Sequence, residues 1–452
     1  MAENHGLNQA LARLDALTDW ERRPRNAMRV GLEPMQDLAA RLGDPQKSFR
    51  AIHVAGTKGK GSVSALIEAA LAHAGLRVGR YASPHVERIN ERVSVQGHDV
   101  DEPTLARALN HALDAYEAAR KAGTAAANAT WFDLLTAAAF LIFREADVEW
   151  AVIEVGLGGR LDSTNIVDGE IALVTNIALE HTEILGATRA AIAGEKVGIL
   201  KPGAVLVTTL SAGDEAGHVL QTRAEGLGAR VKRTRLDAST PIEQVNFALA
   251  AAVLGELRRK GVSARSGEPI SATLLDGATR AAARLPGRME RFDLAIGPRR
   301  LPVVLDGAHV PFNIGAVLRD LALDAELSGP CVAIVALAAD KDAEGFVAEL
   351  AGRASTVIFT DLPGSSRGRP PAELQALATS LGLTSEVEPD AIGALNRGLE
   401  LAAGANAWLL VTGSLYLIGA LRGAVGEAAA MPTAGAAPAF GQAPVRGHDG
   451  SP

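Results

Sequence analysis

The sequence has a single cysteine, Cys331, among its 452 residues. One cysteine excludes a disulfide framework and a thiolate metal cluster, and it is typical of a protein that works in a reducing compartment. An excess of basic residues is also lacking, since the net charge is −7, which disfavours a general nucleic-acid-binding protein. The sequence shows neither a signal-peptide pattern nor an uninterrupted apolar run of membrane-spanning length. These absences predict a soluble, cytoplasmic protein that binds neither nucleic acid nor membrane.

Short apolar runs alternate with Ala- and Leu-rich stretches of helical length along the whole chain. This alternation is typical of an α/β protein in which helices cover both faces of mostly parallel sheets. The predicted strands are 49–54, 149–155, 171–177, 204–209, 302–306, 331–337, 356–361 and 407–412. The predicted helices are 33–42, 62–74, 103–121, 131–145, 188–199, 243–259, 311–322, 344–352, 372–381 and 390–403.

The length of the chain and its 48% hydrophobic content allow two separate cores. A Leu-Pro-Gly-Arg turn, Leu285 to Arg288, indicates a boundary nearby. We therefore predict a larger domain over residues 1–290 and a smaller α/β domain over 291–426. Residues 427–452 are mostly Ala, Pro and Gly with few large apolar side chains, and we predict a disordered tail there.

A glycine-rich loop follows the first predicted strand, and it is the most informative motif of the chain. Its residues are Gly56, Thr57, Lys58, Gly59, Lys60, Gly61 and Ser62. Glycines let backbone N–H groups approach phosphate oxygens, the N-terminus of the following helix is electropositive, and Lys60 adds a full charge. Ser62 can offer a hydroxyl to a phosphate-bound Mg²⁺. The alternative is a plain strand-to-helix turn, but the combination predicts a P-loop-type site for a nucleotide polyphosphate.

Several polar residues follow predicted strands, at the edge where open parallel sheets bind ligands. Glu154 ends one such strand and, beside a phosphate loop, would be a natural Mg²⁺ ligand. His181 follows the strand 171–177, although a lone histidine is more often structural than a ligand. The pair Glu195-Lys196 lies on a predicted helix, and from spacing alone we assign it to a solvated face. For the segment Ser83-Pro84-His85, composition alone does not exclude a proline turn with a charged exit.

The second domain has a comparable strand end. Asp306-Gly307-Ala308-His309 follows the apolar strand 302–306 and therefore lies at the predicted ligand-binding edge. Arg288, in the boundary turn, would suit bidentate contact with a phosphate, while a solvated linker cation is an equal alternative.

Together these segments resemble folylpolyglutamate synthase and the bifunctional dihydrofolate synthase/folylpolyglutamate synthase, which belong to the Mur ligase superfamily. The resemblance covers roughly residues 28–425, and the matching stretches are His53–Val63, Ser83–Ile89, Thr130–Asp133, Glu154–Asn165, Glu180–Lys201, Pro286–Arg288, Asp306–Pro311 and Thr412–Tyr416. It implies a P-loop-containing, mostly parallel sheet domain of the Mur ligase central type and a C-terminal domain of the Mur ligase C-terminal type. It also implies an ATP-dependent ligase that joins L-glutamate to a pteroate or folate carboxylate.

The resemblance assigns roles that spacing could not. It implies two Mg²⁺ sites, a carbamylated Lys196 that replaces our solvated-face interpretation, nucleotide contacts from the second domain, and positions near a pterin. The metal ligands would be Ser62, Ser83, Glu154, His181 and Lys196; the further nucleotide contacts would be Asn246, Arg288 and Asp306, with His309 in the same segment; and the pterin positions would be Thr130, Trp131, Phe132, Leu161, Asp162 and Ser163.

The chain departs from the family pattern at four positions. Asp133 stands where Glu is usual, Glu180 replaces Asp, Glu243 replaces His, and Val310 replaces Asn. None of these changes removes a proposed metal ligand or the loop lysine, so we expect a working enzyme. We also expect a monomer, since the sequence shows no exposed apolar repeat. Two alternatives stay open on the sequence: a ligase of the same superfamily with another carboxylate acceptor, and a nucleotide-binding P-loop protein without ligase activity.

Overall fold

The chain folds into two compact units, Met1–Leu285 and Pro286–Pro452. The computed structural model describes residues 2–19, 31–237, 239–296, 299–365 and 367–430. The division falls five residues before the predicted boundary between 290 and 291. The reason is that Glu290 begins a strand that pairs with Arg299–Leu305, so the preceding turn belongs to the second unit.

The first unit contains ten α-helices and eight strands among its described residues. In chain order they are α1 (Ala2–Asp15), α2 (Glu33–Arg41), β1 (Arg50–Ala55), α3 (Lys60–His73), β2 (Val78–Tyr81), β3 (Val93–Val95), β4 (His98–Asp99), α4 (Glu102–Ala122), α5 (Trp131–Glu145), β5 (Trp150–Glu154), β6 (Gly169–Val174), α6 (Thr182–Leu185), α7 (Arg189–Lys196), β7 (Val205–Thr208), α8 (Glu215–Gly226), β8 (Arg230–Arg233), α9 (Ile242–Arg259) and α10 (Gly277–Ala282).

The sheet of the first unit has the strand order β4-β3-β2-β5-β1-β6-β7-β8. The strands from β2 to β8 in this order run parallel, and the β2–β3 and β3–β4 pairs are antiparallel. Both faces are covered, because Ala51 of β1 packs into a core with α4 and α5 while its neighbour Ile52 packs into a core with α3 and α9. Burial on both faces explains why β1 and β5 are mostly apolar.

The second unit contains six strands and five helices among its described residues. They are β9 (Glu290–Ile296), β10 (Arg299–Leu305), α11 (Pro311–Leu321), β11 (Cys331–Val335), α12 (Ala343–Ala351), β12 (Ala354–Phe359), α13 (Pro371–Ser380), β13 (Ser385–Val387), α14 (Ala391–Ala405), β14 (Trp408–Thr412) and α15 (Leu415–Ala430). The strand order is β13-β12-β11-β14-β10-β9, and the β9–β10 pair is antiparallel in an otherwise parallel sheet.

The C-terminal part of the chain departs from the predicted tail. Helix α15 continues to Ala430, so residues 427–430 are helical, and the buried Ala428 shows that the helix still packs on the unit there. Residues 431–452 lie outside the described part of the chain. Within the described part, no helix combines the length and apolar character needed to cross a membrane.

Candidate active site

The glycine-rich loop lies between β1 and α3, and its backbone forms hydrogen bonds with the residues that follow the neighbouring strand β6. Gly56 has φ 143°, and a Cβ there would stand 1.9 Å from Thr175 Oγ1, so only glycine fits. Thr175 Oγ1 donates to the Lys58 carbonyl at 2.6 Å, and the Lys58 N–H donates to Asn176 Oδ1 at 3.0 Å. The loop is therefore held in a fixed shape, and α3 begins directly after it at Lys60.

Two lysines meet at one carbonyl oxygen of this loop. Lys60 Nζ donates to the Gly56 oxygen at 3.2 Å, and Lys196 Nζ donates to the same oxygen at 3.1 Å. Lys60 Nζ also lies 3.8 Å from Glu154 Oε1. The structure thus brings the loop lysine, the acid at the end of β5 and the lysine of α7 together around Gly56.

Lys196 is buried at the end of α7, so the solvated-face interpretation of this residue is wrong. A turn at Gly158 and Gly159 allows the approach, because a Cβ on Gly159 would stand 2.9 Å from the Lys196 carbonyl oxygen. Burial, reinforced by the charge of Lys60, lowers the pKa of Lys196 to about 7. Both effects favour the uncharged form of this amine.

The segment after β6 adds a second charged group beside the loop. Lys58 Nζ pairs with Glu180 Oε1 at 3.0 Å, and His181 Nε2 lies 3.7 Å from the same oxygen. His181 has φ 54° and directly precedes α6. Glu180, which departs from the family pattern, keeps a carboxylate next to His181 and also neutralises Lys58.

The residues around the loop suit a magnesium ion. Ser62 lies in the first turn of α3, and Glu154 lies against that turn, since a Cβ on Gly61 would stand 3.4 Å from Glu154 Oε2. Ser83 follows β2, whose Tyr81 pairs with Ile153 of β5, so Ser83 and Glu154 belong to the same sheet edge. A carboxylate, hydroxyls and phosphate oxygens are the hard ligands that Mg²⁺ prefers.

Asn246 also lies at the loop. It is buried on α9, and a Cβ on Gly59 would stand 2.9 Å from its Oδ1. Glu243, one turn earlier on the same helix, is exposed and lies 3.9 Å from Arg280.

The two segments assigned to the pterin are tied together by Asp133. Its Oδ2 accepts hydrogen bonds from the Thr130 N–H and hydroxyl, both at 2.7 Å, and its Oδ1 accepts one from Ser163 Oγ at 2.6 Å. Burial raises the pKa of Asp133. The shorter acid at this family position therefore still links the start of α5 to the loop after β5.

The aromatic side chains of this region have different environments. Phe132 is half-buried and its ring covers Gly156, where a Cβ would stand 2.6 Å from the ring edge. Trp131, in contrast, is 2% exposed; its Nε1 donates to Asp15 at 2.9 Å and the Arg92 guanidinium lies 4.9 Å above its ring. Trp131 is a core residue, and the expectation that it lines the pterin site does not fit this position.

The predicted residues of the second unit form one cluster of their own. Asp306 follows β10, and its carboxylate accepts hydrogen bonds from the Ala308 and Met289 N–H groups, both at 2.9 Å. His309 Nδ1 donates to the Gly307 carbonyl at 2.8 Å. Arg288 lies beside Gly307, where a Cβ would stand 3.1 Å from its Nη1. Val310 is buried before α11, so the position that usually carries Asn serves packing here.

Sequence patterns did not predict the residues that hold the phosphate loop and the loop after β5 in place. Thr175 and Asn176 follow β6 at the ligand-binding edge, and polar residues at that position indicate a role in the site. His53 and Thr164, which share a buried hydrogen bond, carried no such signal because their contact spans 111 residues of sequence.

Comparisons with known proteins agree with this geometry. Residues 54–246 match the Mur ligase middle domain, and residues 287–415 match the Mur ligase glutamate ligase domain. The dihydrofolate synthase/folylpolyglutamate synthase of Bacillus subtilis is 32% identical over 422 residues, which are 87% of this chain and 95% of that protein. The chain belongs to the dihydrofolate synthase/folylpolyglutamate synthase family of Mur ligases. The predicted family and its class of enzyme, a ligase, are thereby confirmed.

Solved structures of this synthase family share the fold along nearly the whole chain. An Escherichia coli structure in complex with DHPP and ADP has 29% identity and a TM-score of 0.76, and covers 93% of this chain and 98% of that one. A Yersinia pestis synthase complexed with AMPPNP and Mn ion has 29% identity and a TM-score of 0.74, with the same coverage. The predicted α/β fold class, with its middle and C-terminal Mur ligase domains, is confirmed.

Proposed function

We propose that this chain is an ATP-dependent ligase that joins L-glutamate to the carboxylate of a pteroate or folate through an acyl phosphate. The observation that carries the proposal is the meeting of Lys60, Lys196 and Glu154 at the Gly56 end of the phosphate loop. A site with this charge arrangement suits the transfer of a phosphoryl group between two anions, where catalysis consists mainly of charge neutralisation and positioning.

The chemical problem is that a carboxylate is a poor acyl donor, because its leaving group would be oxide. Attack of the acceptor carboxylate on the γ-phosphorus of ATP forms a new O–P bond, and ADP leaves. The α-amino group of L-glutamate then attacks the acyl carbon, an amide forms, and phosphate leaves with the bond electrons. We assign Lys60 and the N–H groups of residues 56–62 to the phosphates, where they stabilise charge that develops during the transfer.

The metal ligands that we propose are Ser62, Ser83, Glu154 and His181, together with Lys196 in carbamylated form. Bound Mg²⁺ would neutralise phosphate charge and polarise the acceptor carboxylate. Arg288, Asp306 and Asn246 are the proposed further contacts of the nucleotide, with His309 in the same segment as Asp306. The acceptor would be held by Thr130, Phe132, Leu161, Asp162 and Ser163.

Carbamylation of Lys196 is chemically reasonable for an amine in this position. The uncharged Nζ attacks the carbon of CO₂, an N–C bond forms, and one proton is released. Burial and the neighbouring Lys60 favour the uncharged amine that this step requires. Incubation with ¹³C-bicarbonate should give a carbamate carbon signal that is missing in Lys196→Met, and an unchanged spectrum in both proteins would contradict the assignment.

The ligase proposal is tested by ADP release from purified protein with ATP, Mg²⁺ and L-glutamate, with dihydropteroate or tetrahydrofolate added. We expect release to depend on one of these acceptors and on glutamate. If only a different carboxylate stimulates ADP release, the acceptor belongs to another chemical class. Slow ATP hydrolysis that no acceptor stimulates would indicate a nucleotide-binding protein without ligase activity.

A further inference from the structure

A histidine lies inside the strand that carries the phosphate loop. His53 belongs to β1, three residues before Gly56, and is fully buried. Its Nε2 lies 2.9 Å from Thr164 Oγ1, and its Nδ1 has no hydrogen-bond partner among the described residues. A polar side chain in an apolar strand costs free energy of folding unless its contacts compensate, so the contact to Thr164 needs an explanation.

Thr164 connects this histidine to Asp162. The Thr164 hydroxyl lies 2.5 Å from Asp162 Oδ1, and the Thr164 N–H donates to the same oxygen at 3.0 Å. The other oxygen, Oδ2, accepts from the Leu157 N–H at 2.8 Å. Two backbone donors, one on each oxygen, show that the Asp162 carboxyl group acts as an acceptor.

With Asp162 ionised, donor counting gives the direction of each hydrogen bond from His53 to Asp162. Burial raises the pKa of Asp162, while the hydrogen bonds from the Leu157 N–H and from Thr164 oppose that shift and favour the carboxylate. When Asp162 is ionised, the one hydroxyl hydrogen of Thr164 points to it, because a carboxylate has no hydrogen to offer. The hydroxyl oxygen then accepts from His53, so the His53 ring carries its hydrogen on Nε2 and leaves Nδ1 bare. This tautomer agrees with the missing partner at Nδ1.

We infer that His53 and Thr164 are positioning residues that fix the Asp162 carboxylate, and through it the pterin-bearing acceptor, relative to the phosphate loop. The inference rests on the proposed function. Strand β1 leads directly into residues 56–62, and the same strand reaches Asp162 through His53 and Thr164. One rigid strand would thus position both the nucleotide phosphates and the acceptor. This matters because small displacements between reacting groups slow catalysis.

The first test uses Thr164→Val, which keeps the shape of the side chain and removes the hydroxyl. Steady-state kinetics should show the KM for the pterin acceptor raised about tenfold or more, as expected for the loss of a hydrogen bond to a charged group, with the KM for ATP within about twofold. Thr164→Ser should restore the acceptor KM. The matched control is Thr208→Val, which removes another buried strand hydroxyl, one that accepts from the Leu210 N–H, and should leave both KM values unchanged.

The second test replaces the histidine. Gln can place an amide N–H near the Nε2 position, so His53→Gln should keep most of the acceptor affinity, whereas His53→Met should lose it. If Thr164→Val does not fold, the His53 pair decides the question. ¹⁵N NMR of the wild-type histidine provides a readout without turnover: a protonated Nε2 and a bare Nδ1 are expected, and a hydrogen on Nδ1 would overturn the inference.

The outcomes separate this inference from the proposed function. If the wild-type protein shows no acceptor-dependent ADP release, both the proposed function and the positioning role are contradicted. If the wild type is active but Thr164→Val leaves the acceptor KM unchanged, only the positioning role is contradicted. The same conclusion follows if Thr164→Val raises the KM for ATP as much as the KM for the acceptor.

Discussion

The ends of β1 and β10 are built alike but carry opposite electrostatics. Each strand pairs in parallel with a neighbour, β5 and β6 for β1 and β14 for β10, and is followed by a short loop and a helix. After β1, two lysines surround a backbone carbonyl oxygen at Gly56. After β10, two backbone N–H groups surround the carboxylate of Asp306. The first loop places two lysine side chains where phosphates would bind, while the second uses an acid to shape its own backbone. A shared strand–loop–helix geometry therefore does not fix the chemistry of the site, which local side chains decide.

The largest effect should come from removing charge at the first loop. Lys60→Met keeps the aliphatic part of the side chain and should lower kcat at least about 1000-fold, because the phosphoryl charge loses its lysine. The free energy of unfolding should change by less than about 1 kcal/mol. ADP release and chemical denaturation measure the two effects, with Lys47→Met, at a side chain 69% exposed, as the control. Equal losses of activity in both variants would refute the role of Lys60.

A smaller effect is expected at the second loop, where positioning dominates. Glu290 accepts from Arg422 at 2.8 and 2.9 Å and from the Gly287 N–H at 2.9 Å, so it holds the turn that carries Arg288. Arg422→Met should raise the KM for ATP about tenfold with a smaller change in kcat.

The second unit offers a matched control for this change. Arg397 and Glu386 form a bidentate pair of similar geometry, at 2.8 and 2.9 Å, away from the turn. Arg397→Met should leave the KM for ATP unchanged. If both variants behave alike, the turn does not depend on Arg422.

The buried histidine of β1 should make the first unit sensitive to acid. Burial lowers the pKa of His53 to about 3, from an ordinary value of 6.5. Below pH 6.5 the unfolded chain binds a proton that the folded chain does not, so this residue lowers stability by about 1.4 kcal/mol per pH unit down to the folded pKa. Denaturation of wild type and His53→Gln between pH 7 and 5 measures the difference, and parallel pH curves would contradict it.

The smallest effect is expected at the cysteine of the second unit. Burial in β11 raises the pKa of the Cys331 thiol to about 12, so the reactive thiolate is scarce at neutral pH. Cys331→Ala should leave kcat and both KM values unchanged, and a thiol reagent should react with the wild type mainly after unfolding. Rapid modification of the folded enzyme with loss of activity would show that this strand is more accessible than its burial indicates.

The fold was largely predictable because its central strands are mostly apolar, as β1, β5, β11 and β14 show. Strands β2 and β8 were missed because they carry arginines, and Arg80 is buried only through its pair with Glu68 at 2.7 Å. A local pattern cannot reveal a partner that lies on another element.

The same limit applies to the candidate site. The loop and the strand-end acids followed from spacing, since parallel strands end at a common edge. The burial of Lys196 did not, because the side of α7 that faces Gly56 is decided by tertiary packing. Trp131 was assigned to the pterin from the family resemblance, and its burial was not foreseen because successive residues at the start of a helix point in different directions.

The shared hydrogen-bond acceptor at Gly56 has a consequence for how the protein would respond to dissolved carbon dioxide. With the amine at Lys196, a donor points at that oxygen. A carbamate at the same position would replace the amine by an anion and give up that bond, while Lys60 would gain a counterion close by. The gas would then act as an essential activator, and enzyme prepared in degassed, bicarbonate-free buffer should start slowly and accelerate once bicarbonate is supplied.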